Sequence, residues 1–209
     1  FLVLALPINW PNDTLWKFIP ALALPGIPLI ALAMVAPIHW KAIFGKVGAR
    51  ELKLMLGFAL LNIIVSMSIG VAVNTLTEVT SNAAISQLGN LDTADRLIFF
   101  AKTIPQLLGE EVITILPFLA ILYWLTKSFG VGRKGAIIGA WLLTALVFGL
   151  VHLPTYDWNW VQCIVVIGSA RIMLTLPWLM TKNIWVSTGA HIINDWLLFG
   201  MTILGAVLV

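Results

Sequence analysis

Six apolar runs, each close to or beyond the roughly 20 residues needed to cross about 30 Å of hydrocarbon, dominate the 209-residue sequence. That pattern leaves few folds open, because within a bilayer every backbone N–H and C=O must be satisfied internally, by helices or by the strands of a closed barrel. Barrel strands alternate apolar and polar residues, and no such alternation is visible. The runs at 15–40, 52–73, 96–126, 134–152, 158–181 and 184–208 instead predict helices. An apolar opening at 1–8 is too short to span; starting at Phe1, with no basic region before it, it fits a clipped first helix better than a signal peptide. The expected fold is an all-α, polytopic transmembrane bundle of about six to seven helices around a polar central cavity.

Composition agrees: 60% of residues are hydrophobic and 10% charged, against about half and a quarter in soluble domains. This excludes a water-soluble globule and a nucleic-acid module, and the lone Cys163 excludes an internal disulfide. The small net charge of +3 matters less than its placement. Lys41, Lys46, Arg50 and Lys53 fall in or beside one connection, Lys127, Arg133 and Lys134 in another, and Lys182 in a third, all on one side of the bundle. The other connections carry Asp13, Glu78, Asp92, Asp95 and Asp157, with Lys17 and Arg96 as the basic residues. The positive-inside rule therefore puts the first set in the cytoplasm and the C-terminus outside. Trp40, Trp124, Trp158 and Trp185 sit near predicted helix ends, as interfacial anchors do. The polar stretch 74–95 reads as an extracytoplasmic loop with a short amphipathic helix.

Run 96–126 would measure about 46 Å as one straight helix, longer than the hydrocarbon, so it is expected to tilt or to break near Pro105 and Gly109. Immediately after stand Glu110 and Glu111. Ionisable residues within the apolar runs are few: Lys102, these two acids, His152, Arg171, His191 and Asp195. A charge at the bilayer centre costs about 2.5 to 3.5 kcal/mol even on the lenient insertion scale, so such residues face a protein interior or a watery cavity and mark a site.

Spacing groups them. Glu110 and Glu111 lie in GEEVITILPF, Phe148 and His152 are four apart in FGLVH, and His191 and Asp195 are four apart in HIINDW, beside Asn194. Residues four apart share a helix face, so three separate helices each bring polar groups to the bundle interior. A carboxylate, two imidazoles and a further polar group can deprotonate a water and stabilise the oxyanion of a tetrahedral intermediate. Peptide hydrolysis inside a membrane needs those parts.

The constellation resembles the CAAX prenyl protease and bacteriocin-processing (CPBP, or Abi) family of intramembrane endopeptidases. Its pattern is a Glu-Glu pair followed by Arg, then Phe-x-x-x-His, then His-x-x-x-Asn or Asp, in the order in which Glu110-Glu111, Phe148 to His152 and His191 to Asp195 stand here. The resemblance implies that Glu110 is the general base assisted by His152, that His191 and residue 195 stabilise the oxyanion, and that Glu111 supports; Phe148, Asn194 and Arg171 are further supporting candidates. It also implies one membrane domain over 1–209, with N-terminal helices and a polar loop in 1–95 and the catalytic core in 96–209. The substrate would be a peptide or membrane-anchored protein and the location a bacterial cell membrane, with no cofactor or metal. Two departures stand out: Ile115 occupies the position of the family's Arg, with Arg171 as a substitute counter-charge from another helix, and Asp195 replaces the commoner Asn.

Three alternatives remain at this level. Glu110, His152 and His191 could ligate Zn²⁺, although no His-Glu-x-x-His helix is present. A non-catalytic bacteriocin-immunity or scaffold protein would use the same fold. Intramembrane charges alone would also suit a transporter, but no internal repeat supports one. Depth adds a tension: at roughly 1.5 Å per residue, His152 stands about 27 Å from Lys134 but His191 about 13 Å from Lys182, so straight vertical helices would separate them.

Overall fold

The computed structural model describes residues 16, 18–82, 85 and 88–208, with side chains described as far as residue 205. Six α-helices are present among them: α1 (Phe18–Val35), α2 (Ala49–Asn74), α3 (Thr93–Lys127), α4 (Arg133–Val151), α5 (Gly168–Thr181) and α6 (Ile184–Leu208). No strand occurs among the described residues, and five helical segments are long and apolar enough to cross a membrane. The helical bundle expected from the apolar runs is therefore present. The apolar opening at 1–8 and Leu15 lie outside the described residues.

Helix α3 is the axis of the fold, packing on α1, α4 and α6, while α2 covers α5 and α6. A buried apolar cluster of Ile43, Val112, Ile115, Phe118, Trp178 and Ile184 closes one end of the bundle. In it the Phe118 and Trp178 rings meet edge to face, 5.2 Å apart. Around the outside Ile30, Met34, Ile64, Val71 and Leu204 are exposed, whereas Asn62, Glu111, Arg171, Thr175 and His191 are buried. Apolar surface outside and polar groups inside suit a lipid solvent. Several buried hydroxyls are satisfied within their own helices, as where Thr114 donates to the Glu110 carbonyl at 2.8 Å and Thr175 to the Arg171 carbonyl at 2.7 Å.

Several boundaries differ from the apolar runs. Helix α1 stops at Val35, ahead of Pro37, and a 3₁₀ turn, Trp40–Ile43, follows; a residue before proline is pushed out of helical geometry. Helix α2 starts earlier than expected, at Ala49, where Glu51 accepts the Gly48 amide at 3.0 Å. The expected break at Pro105 and Gly109 is absent: α3 runs unbroken for 35 residues, about 52 Å. Gly109 serves packing instead, since a Cβ there would lie 2.6 Å from Leu24 Cγ of α1. Run 158–181 is not one regular helix, because a π-helical turn, Gln162–Ile167, precedes α5. Within 74–95 the described residues include the 3₁₀ turn Leu88–Asn90 and a helical residue at Ile85; the rest of the stretch where a short amphipathic helix is expected, 83–84 and 86–87, lies outside the described residues.

Candidate functional site

The site is built on one long face of α3. Gln106 and Glu110 lie one turn apart, and the Gln106 carboxamide donates to Glu110 Oε1 at 3.3 Å. Glu110 is 5% exposed and lines a cavity of about 360 Å³; Glu111, the next residue, points away from it and is completely buried. Consecutive residues on a helix are about 100° apart, so adjacent acids meet different neighbours.

Glu111 is held by two groups. Arg171 of α5, also 0% exposed, places Nη2 2.6 Å from Glu111 Oε1, and His191 of α6 places Nδ1 3.0 Å from the same oxygen. Ile115, one turn beyond Glu111, packs in the apolar cluster, so the cation facing this acid comes from a different helix. The Arg171 guanidinium also lies over the Phe148 ring, 4.9 Å from its centroid, and the same ring is 4.5 Å from that of His152. Phe148 thus spaces the cation from the imidazole.

His191 presents its other nitrogen, Nε2, to two further carboxylates, 3.9 Å from Glu110 Oε2 and 3.7 Å from Asp195 Oδ1. Asn194 donates from Nδ2 to Asp195 Oδ1 at 2.9 Å. His152 is not in α4 but caps its end, ahead of the 3₁₀ turn Leu153–Tyr156. Its Nδ1 lies 2.7 Å from the Phe148 carbonyl, which can only accept, so Nδ1 carries a proton. His152, His191 and Glu110 line the same cavity, so the depth difference counted along straight helices does not separate them.

The cavity also receives residues that a search restricted to ionisable groups passes over. Asn62 and Ser66 line it from α2, and Asn82 and Tyr156 from the segments at one end of the bundle. Asn62 had a signal, a carboxamide in the middle of LGFALLNIIVS, but carries no charge. Burial pushes the Tyr156 phenol up to about 12, so it stays a neutral hydroxyl in the physiological range. Cys163 is buried. Among the described residues no group of three or more His, Cys, Asp or Glu is placed to hold a metal ion.

The sequence model of one family, described as type II CAAX prenyl endopeptidase Rce1-like, matches residues 93–197. No curated protein and no solved structure matches the chain. The matched segment begins with α3 and reaches into α6, so it contains Glu110, Glu111, His152, Arg171, His191 and Asp195 but leaves out α1 and α2. The match covers half of the chain and includes every charged residue and histidine that lines the cavity, Lys102 among them. Together with the apolar helices, the match shows that this multi-pass integral membrane protein belongs to the Rce1-like type II CAAX prenyl endopeptidase family, at family level the CAAX-type membrane endopeptidases.

Proposed function

We propose that the chain hydrolyses a peptide bond of a peptide or membrane-anchored protein with a water activated by Glu110 and His152. The observation that carries this reading is the division of labour between the paired acids: Glu111 is tied to Arg171 at 2.6 Å, while Glu110 faces the cavity. A carboxylate that is not tied to a guanidinium is the more readily protonated of the two. His152, its ring held by Nδ1 donating to the Phe148 carbonyl, lines the same cavity and assists in orienting the water.

Glu110 takes one proton from the water as the hydroxide oxygen bonds to the scissile carbonyl carbon. The carbonyl oxygen becomes an oxyanion and accepts a hydrogen bond from His191, whose ring is charged when both nitrogens carry protons. Glu111 at Nδ1 and Asp195 beside Nε2 complement that charge. On collapse the C–N bond breaks and Glu110 passes its proton to the leaving nitrogen. Asp195 acts here as a partner of His191, because a carboxylate cannot donate to an oxyanion and the Asn194 amide is directed at Asp195.

The test is cleavage of a fluorogenic peptide library, soluble and lipid-anchored, by the protein in liposomes. Glu110→Gln is expected to lower turnover by about 100-fold or more while the protein melts as wild type does, because loss of a general base has that scale. Wild-type turnover in that variant overturns the mechanism. An immunity or partner-binding phenotype that persists in Glu110→Gln belongs to binding, not to hydrolysis.

A further inference from the structure

A buried chain of hydrogen bonds enters the site from α2, outside the segment that the family match covers. Ser66 Oγ donates to Asn62 Oδ1 at 3.2 Å, Asn62 Nδ2 donates to Asn194 Oδ1 at 2.9 Å, and Asn194 Nδ2 donates to Asp195 Oδ1 at 2.9 Å. Its direction is fixed from the far end. An ionised Asp195 only accepts, so Asn194 must turn its NH₂ toward it; the Asn194 oxygen then needs a donor, and Asn62 supplies one. Asn62 is 1% exposed and Asn194 4%, so water does not readily replace either partner. Asp195 and Asn194 are adjacent on α6, and the bond between neighbouring side chains leaves the Asn194 rotamer free to swing unless something anchors its other end. The Asn62 amide is that anchor, 132 residues away in the chain.

We propose that Asn62 is a positioning residue of the hydrolytic site: through Asn194 it holds the Asp195 carboxylate beside His191. The proposal rests on the reading of Glu110, His191 and Asp195 as the catalytic group. Asn62 itself touches neither Glu110 nor His191 in the hydrogen-bonded set; it acts through Asn194. Removing its donor leaves the Asn194 oxygen unpaired, and Asn194 then rotates to find another partner and releases Asp195. The consequence is a fault in the chemical step and not in substrate binding.

The experiment follows one quenched fluorogenic peptide that the wild type cleaves in liposomes, with kcat, KM and the melting temperature measured for each variant. Asn62→Leu, close in volume and without a donor, is expected to lower kcat at least tenfold with KM within about twofold. Asn62→Gln keeps a carboxamide and is expected to recover kcat to within about threefold of wild type. Ser66→Ala, at a half-buried position where truncation leaves the fold intact, is expected to lower kcat by about two- to fourfold because it frees the Asn62 carboxamide to turn. Wild-type kcat in Asn62→Leu overturns the proposal, as does a loss confined to KM or a Gln variant no better than Leu. Should Asn62→Leu fail to fold, unchanged kcat in Ser66→Ala overturns it. Wild-type turnover in Glu110→Gln overturns the hydrolytic reading beneath it instead.

Discussion

Glu110 and Glu111 are chain neighbours with opposite surroundings, and the difference predicts opposite failures. Losing Glu110 removes a group at the cavity wall; losing Glu111 or Arg171 leaves a buried charge without its counter-ion. Breaking a buried pair by removing one partner costs about 3 to 5 kcal/mol in soluble proteins, so Arg171→Met is expected to destabilise on that scale, read as a lowered melting temperature in detergent. The double variant Arg171→Met with Glu111→Gln should recover part of that loss, since no net charge then remains buried. A double variant no more stable than Arg171→Met alone would show that the pair contributes nothing. The zinc alternative places the ion on Glu110, His152 and His191, whereas the proposed mechanism uses these side chains without a metal; it therefore predicts that cleavage persists in excess chelator, measured on the purified protein. Much of this site was legible from the short list of ionisable residues in apolar runs, Arg171 included. Arg171 was also legible as the substitute for the cation missing at Ile115; that it pairs with Glu111 and not Glu110 was not, because spacing along one helix does not say which acid of the pair faces α5.

At the scale of elements, the irregular parts were the least legible. Nothing in QCIVVI marks a π-helical turn, nor that Gln162 at its start clamps Thr80 by accepting its amide at 2.8 Å and donating to its carbonyl at 2.9 Å. Asn159 adds a bond to the Glu78 carbonyl at 2.7 Å, so this turn holds the segment after α2 over the cavity. Gln162→Leu is therefore expected to speed hydrogen exchange at the Thr80 amide while exchange in α3 stays unchanged; equal exchange at Thr80 would deny the clamp its role. The turn also brings backbone against α4, where a Cβ on Gly149 would collide with the Cys163 carbonyl. Backbone cannot swing aside as a side chain can, and Gly149→Ala is expected to cost about 1 to 3 kcal/mol, the usual scale of overpacking, again read from thermal melting. The long helix α3 teaches the reverse lesson: Pro105 and Gly109 looked like a break and are accommodated in a continuous helix, with α1 packed against the glycine.

Over the whole molecule, charge separates the two ends of the bundle. Asn183 joins two of the basic connections, accepting the Gly45 amide at 2.9 Å and donating to the Lys46 carbonyl at 3.0 Å, while Asn159 binds the acidic segment at Glu78. Eight of the twelve Lys and Arg residues belong to the basic connections, so the positive-inside rule assigns that end to the cytoplasm. The assignment has a consequence for the site, because Asn82 and Tyr156, which line the cavity, belong to the acidic end. A substrate entering past them would approach from outside. Single cysteines test this directly, with Cys163 replaced by Ala to remove the native thiol. In intact cells a membrane-impermeant thiol reagent is expected to label Glu78→Cys and Asp157→Cys, and to reach Lys46→Cys and Lys134→Cys only after permeabilisation. The opposite pattern would invert the chain and turn the cavity toward the cytoplasm, where the same catalytic group would act on a different pool of peptides.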